Sequence, residues 1–172
     1  SRGSLGVRQR PVEDLGMNAA FWKDRSVFLT GHTGFKGSWL SIWLSSLGAR
    51  VTGYALEPET DPNLFESAGV ADTIQSIIGD VRDLEQLSAV LRAERFDVVI
   101  HMAAQSLVRV SYREPVDTYS TNVMGTVNIL EAVRQSGQKP AVVVVTSDKC
   151  YANRNVPAGY REDDPMGGFD PC

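Results

Sequence analysis

Three glycines at regular spacing follow a short apolar segment early in the chain, in the stretch Gly31-His32-Thr33-Gly34-Phe35-Lys36-Gly37. The preceding Ser26–Thr30 is rich in β-forming residues, and residues 35–47 carry apolar side chains at helical spacing. In such a strand–turn–helix unit, the first glycine permits the tight turn, the second lets a phosphate approach the backbone, and the third lets the helix pack on the sheet. The N–H groups and the dipole of the helix N-terminus attract anions. This context favours a pyrophosphate-binding turn over a merely tight connection, with contacts at Gly31, Thr33, Gly34, Phe35, Lys36 and Gly37.

The chain then alternates between strand and helix patterns. Further strands are expected at Arg50–Ala55 and at residues 76–78, 97–102 and 141–146, with helices at 83–92 and 115–134. The last strand, AVVVVT, is apolar on both faces, which is typical of a parallel sheet covered by helices. The order predicts an α/β fold with a doubly wound parallel sheet, a Rossmann-like domain whose ligand binds beyond the carboxyl ends of the strands.

Length and charge narrow the possible functions. The chain has 172 residues, enough for one domain, and its net charge of -4 argues against a nucleic-acid partner. No apolar run approaches the ~20 residues of a membrane span, and the two cysteines suit a reducing, cytoplasmic compartment. We expect no metal site. Residues 1–16 are polar and aperiodic, so we expect an extension or expression scar there and the dinucleotide-binding domain at residues 17–172.

The residues after the second, third and fourth strands indicate which dinucleotide binds. Glu57 follows the second strand, where an acidic residue can hold the ribose, although a solvated loop charge is the alternative. No arginine stands at that strand end to hold a 2′-phosphate, which favours NAD over NADP. After the third strand, Asp80 and Val81 are expected at the adenine, since Asp83 fits the following helix better as its N-cap. Ala103 and Ala104 let the backbone lie close to the cofactor.

Two polar residues inside these elements are interpreted structurally. His101 ends the fourth strand and is expected to be packed or backbone-bonded rather than catalytic. Asn122 lies inside the long helix, where asparagine is disfavoured, so we expect it to bridge strand and helix or to order a water.

A hydroxyl, a carboxylate and an amine follow the fifth strand in succession, at Ser147, Asp148 and Lys149. This is the edge where a doubly wound sheet keeps its chemistry, although a polar turn is the alternative.

The glycine spacing resembles that of the extended short-chain dehydrogenase/reductases. The stretches TGHTGFKGSWLSIWL, HMAAQSLVRVSY, TNVMGTVNILEAVR and VVVVTSDKCY resemble the CDP-glucose 4,6-dehydratases among them, from about Phe21 to the last residue. The resemblance implies a redox-neutral lyase of lipopolysaccharide deoxysugar synthesis, in which bound NAD takes a hydride from C4 of a nucleotide-activated glucose and returns it to C6. It also implies a homodimer or tetramer, with residues 115–134 as the dimer face.

Site roles also follow from the resemblance. Ser147 would hydrogen-bond the C4 oxygen, Asp148 would protonate the departing C6 hydroxyl, and Lys149 would be either the C5 base or a charge stabiliser for the enolate. The substrate would meet Gln105, Ser106 and Arg109, and the cofactor would also meet Gln105 and Asn122.

The resemblance exposes one gap. The family's hydride step uses a Tyr-x-x-x-Lys pair directly after Asp-Pro, whereas here Asp170-Pro171 is followed by Cys172. We therefore expect the 172 residues to lack the C-terminal substrate domain and to be catalytically incompetent as written. The alternatives are another nucleotide-sugar epimerase or reductase on the same scaffold, and a non-catalytic NAD-binding module.

Overall fold

The computed structural model describes residues 19–155, 157, 159–168 and 171–172. Its strands are β1 (Ser26–Thr30), β2 (Arg50–Ala55), β3 (Gln75–Ile78), β4 (Val98–His101) and β5 (Ala141–Val144). Its α-helices are α1 (Ala19–Trp22), α2 (Phe35–Ser46), α3 (Leu64–Ser67), α4 (Leu84–Ala93), α5 (Val108–Arg113), α6 (Pro115–Tyr119) and α7 (Gly125–Ser136). A π turn (Ser120–Met124) joins α6 to α7, and short 3-10 turns lie at Val70–Asp72 and Asp148–Cys150.

The five strands form one parallel sheet in the order β3-β2-β1-β4-β5. Thr30 pairs with Tyr54 on one side and with His101 on the other, and His101 pairs with Val144. These residues mark the carboxyl edge of the sheet. The strand order reverses between β1 and β4, because β2 and β3 lie on one side of β1 and β4 and β5 on the other, and doubly wound sheets bind their ligands at this point.

Each face of the sheet is covered by helices. On one face, Phe28 and Val99 pack with α4 and α7 residues that include Leu87 and Ile129. On the other face, Val27, Leu29 and Ile100 pack in one cluster with Leu44 of α2. Burying each such side chain contributes about 1.5–3 kcal/mol, so the alternating sides of β1 anchor two separate cores. The expected doubly wound α/β fold is confirmed.

The structure corrects the expectation for β5. Its valines are half exposed, at 37% for Val142 and 49% for Val143, although the apolar run predicted a strand buried on both sides. The reason is position: among the described residues, β5 lies at the edge of the sheet and pairs only with β4. An apolar sequence shows that a strand is suited to burial, but the strands and helices next to it determine whether it is buried.

The long helix expected at residues 115–134 is also different. It is divided by the π turn at Ser120–Met124 and continues to Ser136, where Gly137 caps it with a φ of 69°. The proposed extension at residues 1–16 lies outside the described residues, so the domain boundary at 17 stays a prediction. In the part of the chain that the structure describes, no helix is both long and apolar enough to cross a membrane.

Candidate functional site

The glycine turn follows β1 at the carboxyl edge of the sheet. Gly31 has a φ of 78°, and its N–H donates to the Tyr54 carbonyl at 3.0 Å. A Cβ at Gly31 would also lie 2.9 Å from the Ala103 nitrogen, and one at Gly37 would overlap the Gly31 carbonyl oxygen. At Gly34 a Cβ would meet only that same oxygen, at 3.4 Å. Chain packing therefore requires glycine at 31 and 37, whereas it leaves position 34 open.

The first turn of α2 presents free donors beside Gly34. The N–H of Ser38 returns to the Gly34 carbonyl at 2.8 Å, but none of the described residues accepts the N–H groups of Phe35, Lys36 or Gly37. The first turn carries no acidic side chain. These N–H groups and the helix dipole can therefore hold an anion such as a pyrophosphate.

Thr33 and His32 anchor the turn to neighbouring strands. The Thr33 hydroxyl donates to the Leu56 carbonyl at 2.8 Å, so this side chain is directed to the end of β2. His32 is fully buried, its Nε2 lies 2.7 Å from the Ser76 hydroxyl, and its ring meets Phe65 edge-on. Burial lowers the pKa of His32 to about 4, against a smaller raising effect of the Tyr54 backbone. The turn is thus fixed to β2 and β3 by neutral groups.

The loop after β3 is held by an ion network that the sequence did not reveal. Asp83 caps α4 by accepting from the Gln86 N–H at 3.0 Å, as predicted. The guanidinium of Arg82 and its backbone N–H both donate to the Asp80 carboxylate, and these bonds lower the pKa of that carboxyl. The same guanidinium donates to Asp117 at 2.5 Å. The carboxylate of Asp80 is therefore ionised and shared with Arg82, and its contact with an adenine stays a prediction.

Val81 places this loop against α7. Its side chain is buried, and a Cβ on Gly125 would lie 2.8 Å from Val81 Cγ2. Asn128 donates through its Nδ2 to the carbonyls of Val81 and Arg82, both at 3.0 Å. The Asn128 side chain thus holds the backbone of Val81, while the Val81 side chain packs in the core.

The loop after β4 is clamped by Asn122 in the π turn. Its Oδ1 accepts from the Gln105 N–H at 2.8 Å, and its Nδ2 donates to the Gln105 carbonyl at 3.0 Å. The Gln105 side chain donates to the Thr118 hydroxyl at 3.1 Å. This is the expected bridge between strand end and helix, and a direct contact of either residue with a cofactor stays a prediction. Ala103 is half-buried beside Gly31, whereas Ala104, Ser106 and Arg109 are exposed.

The end of β5 reaches the same edge of the sheet. The ladder continues to Val145, whose N–H donates to the His101 carbonyl at 2.9 Å. Ser147 caps the 3-10 turn, its hydroxyl accepting from the Lys149 N–H at 3.1 Å, and Lys149 is exposed. The side chain of Asp148 lies outside the described part of the structure. The catalytic roles of these three residues stay predictions.

Comparison with known proteins identifies the family. The family model described as GDP-mannose 4,6 dehydratase matches residues 28–171. The CDP-glucose 4,6-dehydratase of Salmonella typhimurium is 58% identical over 88% of this chain and 42% of its own length. The GDP-mannose 4,6-dehydratase sdnI of Sordaria araneosa is 34% identical over 87% of this chain and 27% of its own.

Solved structures agree on the fold. UDP-glucose-4-epimerase from Stenotrophomonas maltophila, crystallised with NAD and formylated UDP-arabinopyranose, matches with a TM-score of 0.76 at 23% identity, over 86% of this chain and 44% of that one. MoeE5 in complex with UDP-glucose and NAD matches with a TM-score of 0.67 at 28% identity, over 85% and 44%. The chain thus spans less than half the length of these relatives.

Proposed function

Because the chain belongs to the GDP-mannose 4,6-dehydratase family, we propose that it forms the NAD-binding part of a nucleotide-sugar 4,6-dehydratase whose substrate is CDP-glucose. The identity of 58% to the Salmonella CDP-glucose enzyme supports the substrate, since the UDP-glucuronate 4-epimerase 1 of Arabidopsis thaliana is 33% identical. The NAD in the complexes of two structural neighbours supports the cofactor.

The main support for cofactor binding is that packing requires two of the three glycines but not the third. Packing explains the glycines at 31 and 37, because a Cβ at either would strike backbone atoms. Packing does not explain glycine at 34, where a Cβ meets one atom at 3.4 Å beside the free N–H groups of α2. A pyrophosphate lying against Gly34 accounts for the glycine that packing leaves unexplained.

The choice of NAD over NADP rests on the end of β2. Leu56 and Glu57 are exposed there, at the same edge of the sheet as the glycine turn. A carboxylate suits the ribose 2′-hydroxyl and repels a 2′-phosphate, and no arginine follows the strand.

In the proposed reaction, bound NAD supplies the hydride acceptor for C4 of the glucose unit and the hydride donor for C6. Ser147 hydrogen-bonds the C4 oxygen, and Asp148 donates the proton that the C6 hydroxyl takes as it leaves. Lys149 either removes the C5 proton, which needs an uncharged amine, or stabilises the enolate as an ammonium.

Turnover needs more than these residues provide. The printed sequence contains no Tyr-x-x-x-Lys, the pair that the family resemblance assigns to the hydride step. We therefore propose cofactor binding for these 172 residues and dehydration for an enzyme that adds the Tyr/Lys pair and a substrate domain.

We also propose that two copies associate through α6 and α7 in the cytoplasm. An apolar stripe on these helices is exposed and consists of Val116, Tyr119, Val123, Val127 and Leu130. Its exposure, from 82% at Val116 to 46% at Leu130, supports a helix-to-helix interface.

Calorimetric titration with NAD and NADP tests cofactor binding. We expect micromolar or tighter NAD binding that Gly34→Val abolishes, weaker NADP binding, and no change in Gly159→Val, where a Cβ meets nothing within 4 Å. Absence of NAD binding to a chain that melts cooperatively by circular dichroism would contradict the proposal.

A chimera tests whether this chain can serve as the NAD-binding part of a CDP-glucose dehydratase. This chain replaces the matching 42% of the Salmonella enzyme, which supplies the substrate domain, and mass spectrometry follows the loss of one water from CDP-glucose. Dehydration is expected, and its loss in Ser147→Ala supports the catalytic assignment. A folded chimera that binds NAD but removes no water from CDP-glucose would overturn the proposal that this chain belongs to a CDP-glucose dehydratase.

A further inference from the structure

We propose that His101 is a positioning residue, locked as the neutral Nε2–H tautomer, which acts through Thr30 to hold the loop that follows β4 against the glycine turn. The hydrogen bonds that join Thr30, His101 and Thr126 form this lock, and all of them lie among the described residues. Its consequence for NAD binding rests on the proposed function.

The lock begins at the hydroxyl of Thr30, at the end of β1. This oxygen accepts the N–H of Met102 at 3.0 Å and the N–H of Ala103 at 3.1 Å. Both lone pairs are then occupied, and the hydroxyl hydrogen remains to be donated. His101 Nδ1 lies 2.7 Å away and receives it. Nδ1 must therefore be unprotonated.

The second ring nitrogen carries the hydrogen. His101 Nε2 lies 3.2 Å from the hydroxyl oxygen of Thr126, and that hydroxyl donates its own hydrogen to the Asn122 carbonyl at 2.7 Å. The Thr126 oxygen is thus an acceptor for Nε2–H. The ring is 2% exposed, and burial lowers the pKa of His101 to about 4, in agreement with a neutral imidazole.

Any other proton arrangement breaks the network. An Nδ1–H would be a third N–H donor pointed at the Thr30 oxygen, which has two lone pairs, and the Thr30 hydrogen would lose its acceptor. The N–H of either Met102 or Ala103 would then be released. The tautomer of this buried ring thus controls two backbone amides.

Those amides lie beside the glycine turn. Thr30 directly precedes Gly31, and a Cβ on Gly31 would lie 2.9 Å from the Ala103 nitrogen and 3.1 Å from its Cα. The far end of the lock joins the π turn, where Asn122 clamps Gln105 from the other side. The loop from Met102 to Gln105 is therefore held at both ends by one connected set of hydrogen bonds.

Thr126→Val tests the lock at its far end. Valine keeps the shape and removes the acceptor of Nε2–H, so the ring loses one of the two hydrogen bonds that hold it and is expected to hold the Thr30 hydroxyl less firmly, which loosens a Met102 or Ala103 amide. Hydrogen exchange of one of these amides should rise about three- to tenfold, which is the change that one neutral hydrogen bond corresponds to, and Thr126→Ser should restore it. Thr121→Val, in the π turn that directly precedes α7, is the matched control and should leave both amides unchanged.

Long-range ¹H–¹⁵N spectra of the full chain at pH 7 measure the tautomer directly. The chain has 2 histidines, so only His32 and His101 contribute. An Nε2–H signal for His101 is expected, and an imidazolium or Nδ1–H signal in the unsubstituted chain would overturn the proposal even if Thr126→Val did not fold. Unchanged amide exchange in a folded Thr126→Val would also overturn it.

NAD titration of the same variants distinguishes the existence of the lock from its effect on NAD binding. A three- to tenfold loss of NAD affinity in Thr126→Val, restored by Thr126→Ser at equal thermal stability, is expected. If the unsubstituted chain binds no NAD while the tautomer and exchange results hold, the proposed function fails and the lock stands. NAD affinity that is unchanged despite the released amide would overturn the positioning role.

Discussion

Replacing Gly37 by alanine should destabilise the fold, although alanine is the better helix former. The added Cβ would overlap the Gly31 carbonyl oxygen and lie 2.7 Å from the Gly31 carbonyl carbon and 2.9 Å from His32 Cα. All three are backbone atoms of a turn that is bonded to Tyr54, so the turn has little freedom to move away.

The size of the effect follows from two opposing contributions. Overpacking costs about 1–3 kcal/mol, and the close backbone contacts place this site near the upper end. Alanine recovers up to about 1 kcal/mol of helix propensity, so the net loss is about 2 kcal/mol. For a chain of this size, that loss lowers Tm by about 4–8 °C.

Thermal melts followed by circular dichroism measure this loss. Gly159→Ala is the control, because its Cβ meets nothing within 4 Å, and its Tm should stay within about 2 °C of the parent. If Gly37→Ala melts at the parent temperature, the close approach of α2 to the turn is wrong, and with it the structural explanation of the third glycine.

Two further predictions concern buried polar groups. Burial lowers the pKa values of His32 and His101 from the ordinary 6.5 to about 4 in the folded chain. Between pH 6.5 and pH 4 the unfolded chain therefore binds more protons than the folded chain. The free energy of unfolding falls as the pH falls through this range. Urea unfolding should show a loss of about 4 kcal/mol between pH 7 and pH 5, and a loss below about 1 kcal/mol would refute the buried neutral state of the two rings. Asn122→Asp keeps the acceptor for the Gln105 N–H but sets a carboxylate against the Gln105 carbonyl, so it should lower the free energy of unfolding by about 1–3 kcal/mol, whereas Thr121→Val should not. Equal urea midpoints for the two variants would show that Asn122 does not clamp the loop.

Local signals made much of the fold predictable. The residues of β1, β2 and the glycine turn follow one another in sequence, so their pattern is complete within a short window. The Asp83 cap was predictable for the same reason, since it lies three residues from the N–H that it accepts.

Features that depend on distant neighbours were not predictable. The apolar pattern of β5 cannot reveal that the strand lies at the edge of the sheet. The sequence pattern gives no sign of the π turn, because a single wider turn is a matter of backbone hydrogen bonding that residue spacing does not record.

The networks around the site are hidden for the same reason. Arg82 meets Asp117 across 35 positions, and Thr30 meets His101 across 71. The sequence therefore indicated which strand ends carry the site, whereas the contacts that fix those ends required the structure.

The most direct test of the proposed NAD site is to find which backbone amides respond when NAD is added. Amide chemical shifts of the ¹⁵N-labelled chain, recorded during NAD addition, should change most at the glycine turn (residues 31–37), at Asp80 and Val81, and at residues 103–105. Amides at the opposite edge of the sheet, such as those of Arg50 and Gly137, should stay constant. Saturable changes confined to that opposite edge, or none at all in the folded chain, would contradict NAD binding at the glycine turn.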